Sequence, residues 1–208
     1  SWIANSNSFD KKIGELGLKK ELLQAFFPKA KDNTYPDVKV AEVPKDTISA
    51  IKKKGFHVER VSENSNFIRV SCINRPTFKD KDFDLLSPVK NQIVYLDLGK
   101  THITDAVFEK ISTLPNLTIL KMDNTGITGK NIEHLEKLEY LRKLNLVGTN
   151  FQEVHLAHLK RFKKLQTVYL FNTPVKKPDY VDRPKEGELF IDYGGYDLPK
   201  IATDSIVF

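Results

Sequence analysis

Residues 92–115 read QIVYLDLGKTHITDAVFEKISTLP, residues 116–139 NLTILKMDNTGITGKNIEHLEKLE and residues 140–163 YLRKLNLVGTNFQEVHLAHLKRFK. Residues 164–181 continue as KLQTVYLFNTPVKKPDYV. The four stretches align with a period of 24 residues and no gap. Ile93, Leu117, Leu141 and Leu165 open the units. Leu96, Leu120, Leu144 and Val168 form one column, and Leu98, Met122, Leu146 and Leu170 the next. Thr101, Thr125, Thr149 and Thr173 share a column, each followed two residues later by Ile103, Ile127, Phe151 or Val175. Chance does not produce five such columns in four units.

Each unit is readable from its periodicity. The LxL alternation puts the leucines on one side of a short strand and the intervening residues on the other. Past the turn, Phe108/Ile132/Leu156, Ile111/Leu135/Leu159 and Leu114/Leu138/Phe162 recur at spacings of three. That spacing suits a helix or a 3₁₀ segment with one apolar face on the strand. One unit cannot bury both of its apolar faces, so the units are expected to stack as an α/β solenoid with parallel strands inside and helices outside.

The pattern LxxLxLxxTxIT followed by xxLxxLxxL resembles the leucine-rich-repeat family over residues 67–180. The resemblance implies a right-handed, ribonuclease-inhibitor-like superhelix whose strands line a concave face. The family usually carries Asn where this chain carries Thr. A Thr hydroxyl can satisfy a buried backbone group in the same way, so the Thr column reads as structural.

Working outward, residues 67–91 look like a degenerate first unit, with Val70 and Cys72 in the strand columns and Phe78, Phe83 and Leu86 in the later ones. Units 92–115, 116–139, 140–163 and 164–180 follow. Residues 181–208 are expected to form an irregular C-terminal cap in which Phe190, Tyr193, Leu198, Ile201, Ile206 and Phe208 cover the last unit. Residues 1–66 are expected to form an αβ N-terminal cap. Within it, residues 9–27 are amphipathic up to Pro28, VKVAEV (38–43) reads as a strand, and Asp46 or Thr47 caps a helix that Gly55 ends. Residues 57–61 and 67–72 then form two strands around a SENSN turn.

The run KKKGFHVERVSENSNFIRVSCIN, the VYLFNT of the last unit and the ending DLPKIATDSIVF are together similar to the C-terminal portion of bacterial membrane-associated proteins in which a c-type cytochrome-like domain precedes leucine-rich repeats. SWIANSNSFDKKIGEL resembles the linker after that domain. The resemblance implies an extracytoplasmic (periplasmic) location and, as an alternative to protein binding, a structural tail of a larger redox protein that docks intramolecularly on an upstream haem domain of the same polypeptide. The haem-attachment residues are absent here, so no cofactor is expected in this chain. The lack of an initiator Met fits an excised piece of something longer.

Composition limits the chemistry. One cysteine in 208 residues excludes an internal disulfide and a Cys-based zinc site. No apolar run approaches the roughly 18 residues of a membrane span, and the first residues lack a signal-peptide pattern. The net charge of +6 is thinly spread. Its densest cluster, Lys160, Arg161, Lys163 and Lys164 with Lys176 and Lys177 later, reads as a solvated face, with a polyanion site as the alternative, and a nucleic-acid partner is not expected. Asp80, Asp82 and Asp84 imitate the start of a calcium loop, but Leu85 and Asn91 stand where Gly and Glu are needed. His155 and His158 could share a metal only with Glu153 as a third ligand. Gly194-Gly195 lacks the context of a phosphate loop, and no nucleophile–base set surrounds Cys72. The chain is therefore expected not to be an enzyme.

What remains is the outward side of the strands: Tyr95, Asp97, Ile119, Lys121, Lys143, Asn145, Tyr169 and Phe171, with Gly99, Asp123, Val147 and Thr167 between them. Repeat solenoids bind proteins on such a face, and its aromatics suit binding hot spots. The alternative for Tyr169 and Phe171 is that the C-terminal tail folds back over them.

Overall fold

The structure, a computed structural model, describes residues 35–179, 185 and 187–195. The chain divides between Thr34 and Tyr35 into two units, and all described residues belong to the second. The amphipathic stretch 9–27 and the expected capping residues Leu198, Ile201, Ile206 and Phe208 lie outside the described residues.

The fold is α/β, built on one seven-stranded, mostly parallel sheet in the order β1 to β7. Helix α1 (Lys45–Lys53) precedes the antiparallel pair β1 (His57–Arg60) and β2 (Ile68–Ser71). Then come a 3₁₀ helix (Asp80–Val89), β3 (Ile93–Asp97), α2 (Val107–Ile111), β4 (Ile119–Lys121), a second 3₁₀ helix (Ile132–Lys137) and β5 (Lys143–Asn145). A short 3₁₀ turn (Glu153–His155) runs into α3 (Leu156–Leu159), followed by β6 (Thr167–Tyr169) and β7 (Phe190–Asp192). The spacing of three that suited either helix type thus yields both, unit by unit.

The register follows the repeat. Leu96 pairs with Leu120, Leu120 with Leu144 and Leu144 with Val168, all in parallel. These residues, Leu98, Met122 and Leu146 in the next column, and Ile103, Ile127 and Phe151 beyond the turn have no solvent exposure. Leu156 is the exception among the helical columns, being only half-buried. The first unit is degenerate in register as well: Val70 pairs with Leu96, and the pairing shifts between Ile68 and Arg69.

The turn after each strand is the same device four times. The hydroxyls of Thr101, Thr125 and Thr149 donate to the carbonyls of Leu98, Met122 and Leu146 at 2.6 Å, and that of Thr173 to Leu170 at 2.8 Å. The residue just before each Thr has positive φ: Lys100 (57°), Asn124 (54°), Gly148 (67°) and Asn172 (55°). Asn and Gly tolerate that left-handed region best, which accounts for three of the four. Gly148 is constrained twice, because a Cβ there would lie 2.4 Å from Asn124 Oδ1.

Side chains also join one unit to the next. Asp80 accepts from the amide and hydroxyl of Thr104, and Asp105 from the same two groups of Thr128 and from the Gly129 amide. Lys110 reaches Asp84 at 2.8 Å. At the N-terminal side, Arg75 lies over the rings of Phe56 and Phe78 and donates to the Lys54 carbonyl at 2.7 Å, fixing the end of α1.

Three expectations need correction. VKVAEV (38–43) joins no ladder; side chains hold it instead, Asn66 donating to the Val40 carbonyl and Gln92 to the Ala41 carbonyl. Helix α1 starts at Lys45 behind Pro44, with no side-chain cap from Asp46 or Thr47; the ring of Pro44 sets the extended entry instead. The C-terminal stretch is not wholly irregular: ELFIDY supplies β7, parallel to β6. Within it Leu189, Ile191 and Tyr193 pack on the core, whereas Phe190 pairs with Thr167 on the outward row. Ile191 takes the place beside Val168 in the buried column.

The Thr hydrogen bonds predict a graded effect. Thr125→Val keeps the shape but leaves the Met122 carbonyl without its partner, costing about 1–2 kcal/mol. Thr173 is half-exposed, so water can replace its hydroxyl and Thr173→Val costs less than about 0.5 kcal/mol. Urea-unfolding midpoints of the two variants check the ordering, and equal shifts would contradict it.

Candidate functional site

The strand register brings the expected outward residues into rows. One row runs Arg69, Tyr95, Ile119, Lys143, Thr167, Phe190, and the next Ser71, Asp97, Lys121, Asn145, Tyr169, Asp192. Backbone bonds continue the ladder one step past the strands, from Lys100 to Asp123, Asn124 to Val147 and Gly148 to Phe171. A third row, Gly99, Asp123, Val147 and Phe171, follows.

The rows separate into two chemical halves. Across β3 to β5 the face is polar and internally bonded. Lys121 Nζ lies 3.2 Å from Asp97 Oδ2 and 3.9 Å from Asp123 Oδ1, and Asn145 Nδ2 donates to Asp123 at 3.4 Å. The Arg69 guanidinium stacks 4.4 Å over the Tyr95 ring. Asp97, Asn145 and Asp192 each accept from the amide two residues on, at Gly99, Val147 and Gly194. These bonds hold the carboxylate and amide groups at the point where the chain leaves the strand.

Across β5 to β7 the face turns apolar. Val147, Tyr169 and Phe171, with Asp192, Gly194 and Gly195, line a shallow groove of about 310 Å³. Phe171 is 50% exposed although it is a large apolar side chain. Gly194 (φ 64°) lies against its ring, where a Cβ would come within 2.3 Å of Cδ2. Among the described residues the tail therefore flanks Phe171 and leaves half of it open. Lys143 is exposed and Ile119 half-buried, neighbours in the row of Tyr95 and Thr167.

The other candidate groups are dispersed. The Asp80 and Asp84 side chains bond Thr104 and Lys110, and Asp82 accepts from the Lys79 amide. His158 Nδ1 sits 3.2 Å from Glu136, and His155 packs near Phe151. Among the described residues no three His, Cys, Asp or Glu side chains converge as metal ligands. Cys72 is buried, and burial pushes its thiol up to about 12 against the pull of Arg75, so it is protonated at neutral pH. Among the described residues no helix is long and apolar enough to cross a membrane.

The sequence matches no protein-family model, and no curated protein matches it either.

Partial burial disfavours the Lys121 ammonium, but the hydrogen bond and charge of Asp97, aided by Tyr95 and Asp123, outweigh it and raise its pKa. A raised folded-state pKa gives stability that is complete below the unfolded value and lost as pH rises through the folded one. Lys121→Gln should lower stability at pH 7 by roughly 0.2–1 kcal/mol, the range for a partly exposed pair. The gap to wild type should close as pH rises beyond the ordinary lysine pKa of about 10.4. Unfolding curves at the two pH values test this, and a gap unchanged at high pH would contradict it.

Proposed function

We propose that residues 67–180 form a short leucine-rich-repeat solenoid and that the chain is a non-catalytic protein-binding module. The partner lies on the outward, concave side of the sheet. The observation that carries this reading is the half-exposed Phe171, set with Tyr169 and Val147 in an apolar groove. Fold stability gives no reason to hold a large aromatic ring out of the core, whereas a partner side chain seated in the groove would remove it from water. The bonded network of Asp97, Lys121, Asp123 and Asn145 supports the same reading, because its groups are already positioned and lose little freedom on binding. The partner chemistry this face suits is an apolar anchor residue beside polar groups that can pair with fixed charges.

A photo-crosslinking residue placed at Phe171 should trap one recurrent protein from extracts of the native cell. The same residue at Val154, which is 72% exposed on the helical side, should not. Tyr169→Ala should weaken the trapped protein's affinity about tenfold or more, the scale of an aromatic anchor. Equal trapping from both positions, or undiminished affinity in the variant, would overturn the assignment of this face.

A further inference from the structure

A second site lies at the opposite end of the strands from Phe171. A cavity of about 330 Å³ opens where β6 begins, and Arg142, Lys160, Lys163 and Lys164 line it together with Gln166 and Gly187. The buried residues Leu159, Phe162 and Leu165 are also among its lining. No carboxylate lines it among the described residues.

The cations are not all accounted for by structure. Lys163 meets Glu139 at 2.8 Å at a well-exposed position, and Lys164 lies 4.6 Å over the Tyr140 ring. Arg142 and Lys160 have no ion-pair partner among the described residues. Arg142 also breaks its column. The equivalent residues one and two units earlier, Thr118 and Val94, have no solvent exposure, whereas Arg142 is half-buried and Gln166, one unit later, is exposed and polar. Half-buried Arg142 thus shares the cavity with Lys160 and Lys164, like charges set near one another, while Lys163 is paired with Glu139.

We propose that this cavity is an oxyanion site for a compact, multiply charged small molecule bearing phosphate or sulfate groups. Arg142 supplies a planar donor pair suited to two oxygens of one group. Lys160, Lys163 and Lys164 act as point charges around it. The site is independent of the aromatic groove, so either assignment can fail without the other.

The test uses the full chain, with tripolyphosphate and sucrose octasulfate as probes, titrated calorimetrically at low ionic strength. At least one probe should bind saturably, and binding should weaken steeply with added salt. Lys160→Gln, at an exposed position, should weaken it severalfold, and Arg142→Gln with Lys160→Gln at least tenfold. Lys130→Gln with Lys176→Gln removes the same two charges elsewhere and should change affinity less than twofold. Thermal unfolding of each variant shows whether it is folded, and Lys160→Gln remains decisive if the double variant is not. Absence of saturable binding by both probes, or an equal loss in the control pair, would overturn the site.

Discussion

Every strand from β3 to β6 leaves the sheet through a turn closed by one hydroxyl, that of Thr101, Thr125, Thr149 or Thr173, on the carbonyl three residues earlier. The turn reverses the chain at a fixed distance from the strand, with the preceding residue held at positive φ. The apolar residue two positions after the Thr is thereby directed into the core. Because the turn is identical each time, the strands pair at a constant offset and Leu96, Leu120, Leu144 and Val168 meet side by side. A slip of one residue in any strand would exchange its buried and outward rows. The outward face therefore owes its composition to the turns. Asp97, Lys121 and Asn145 are neighbours only because their strands are in step.

The two ends of the strands carry different chemistry on the same scaffold. Where the strands finish, an apolar groove around Phe171 adjoins a bonded network of charges. Where they start, the column Val94, Thr118, Arg142, Gln166 passes from buried to exposed along the sheet. The sheet imposes the spacing at both ends, but the side chains depart from what packing alone asks for at Phe171 and at Arg142. Such local departures from the fold's own rules are where function is expected to reside.

The repeat made the strand order, the buried columns and the outward alternation legible, because each rests on a period that the sequence displays four times. The type of helical segment was not legible, since apolar residues three apart satisfy a 3₁₀ turn and a short α-helix alike. The αL column of Lys100, Asn124, Gly148 and Asn172 is marked in the sequence only by an Asn/Gly preference that Lys100 breaks. Strand β7 was obscured by the loss of the period beyond Val175, and with it the alternation that places Ile191 inward and Phe190 outward. VKVAEV has strand-like composition, but side chains from Asn66 and Gln92 take up backbone carbonyls that a ladder would need. The alternation put Tyr95, Asp97, Ile119, Lys121, Lys143, Asn145 and Tyr169 in the two outward rows of the ladder, with Phe171 beyond the end of β6. The pairing of Lys121 with both Asp97 and Asp123 was not, because it depends on cross-strand geometry.

Strands β3 to β7 form one continuous ladder held in step by the repeated turn. Amide hydrogen exchange tests it most directly at Leu98, Met122, Leu146 and Leu170, whose N–H groups donate to Lys121, Asn145, Tyr169 and Asp192 at 2.8–3.0 Å. The account predicts that all four exchange slowly and with similar protection, because they open together. Fast exchange at Leu146 and Leu170 beside slow exchange at Leu98 and Met122 would contradict it.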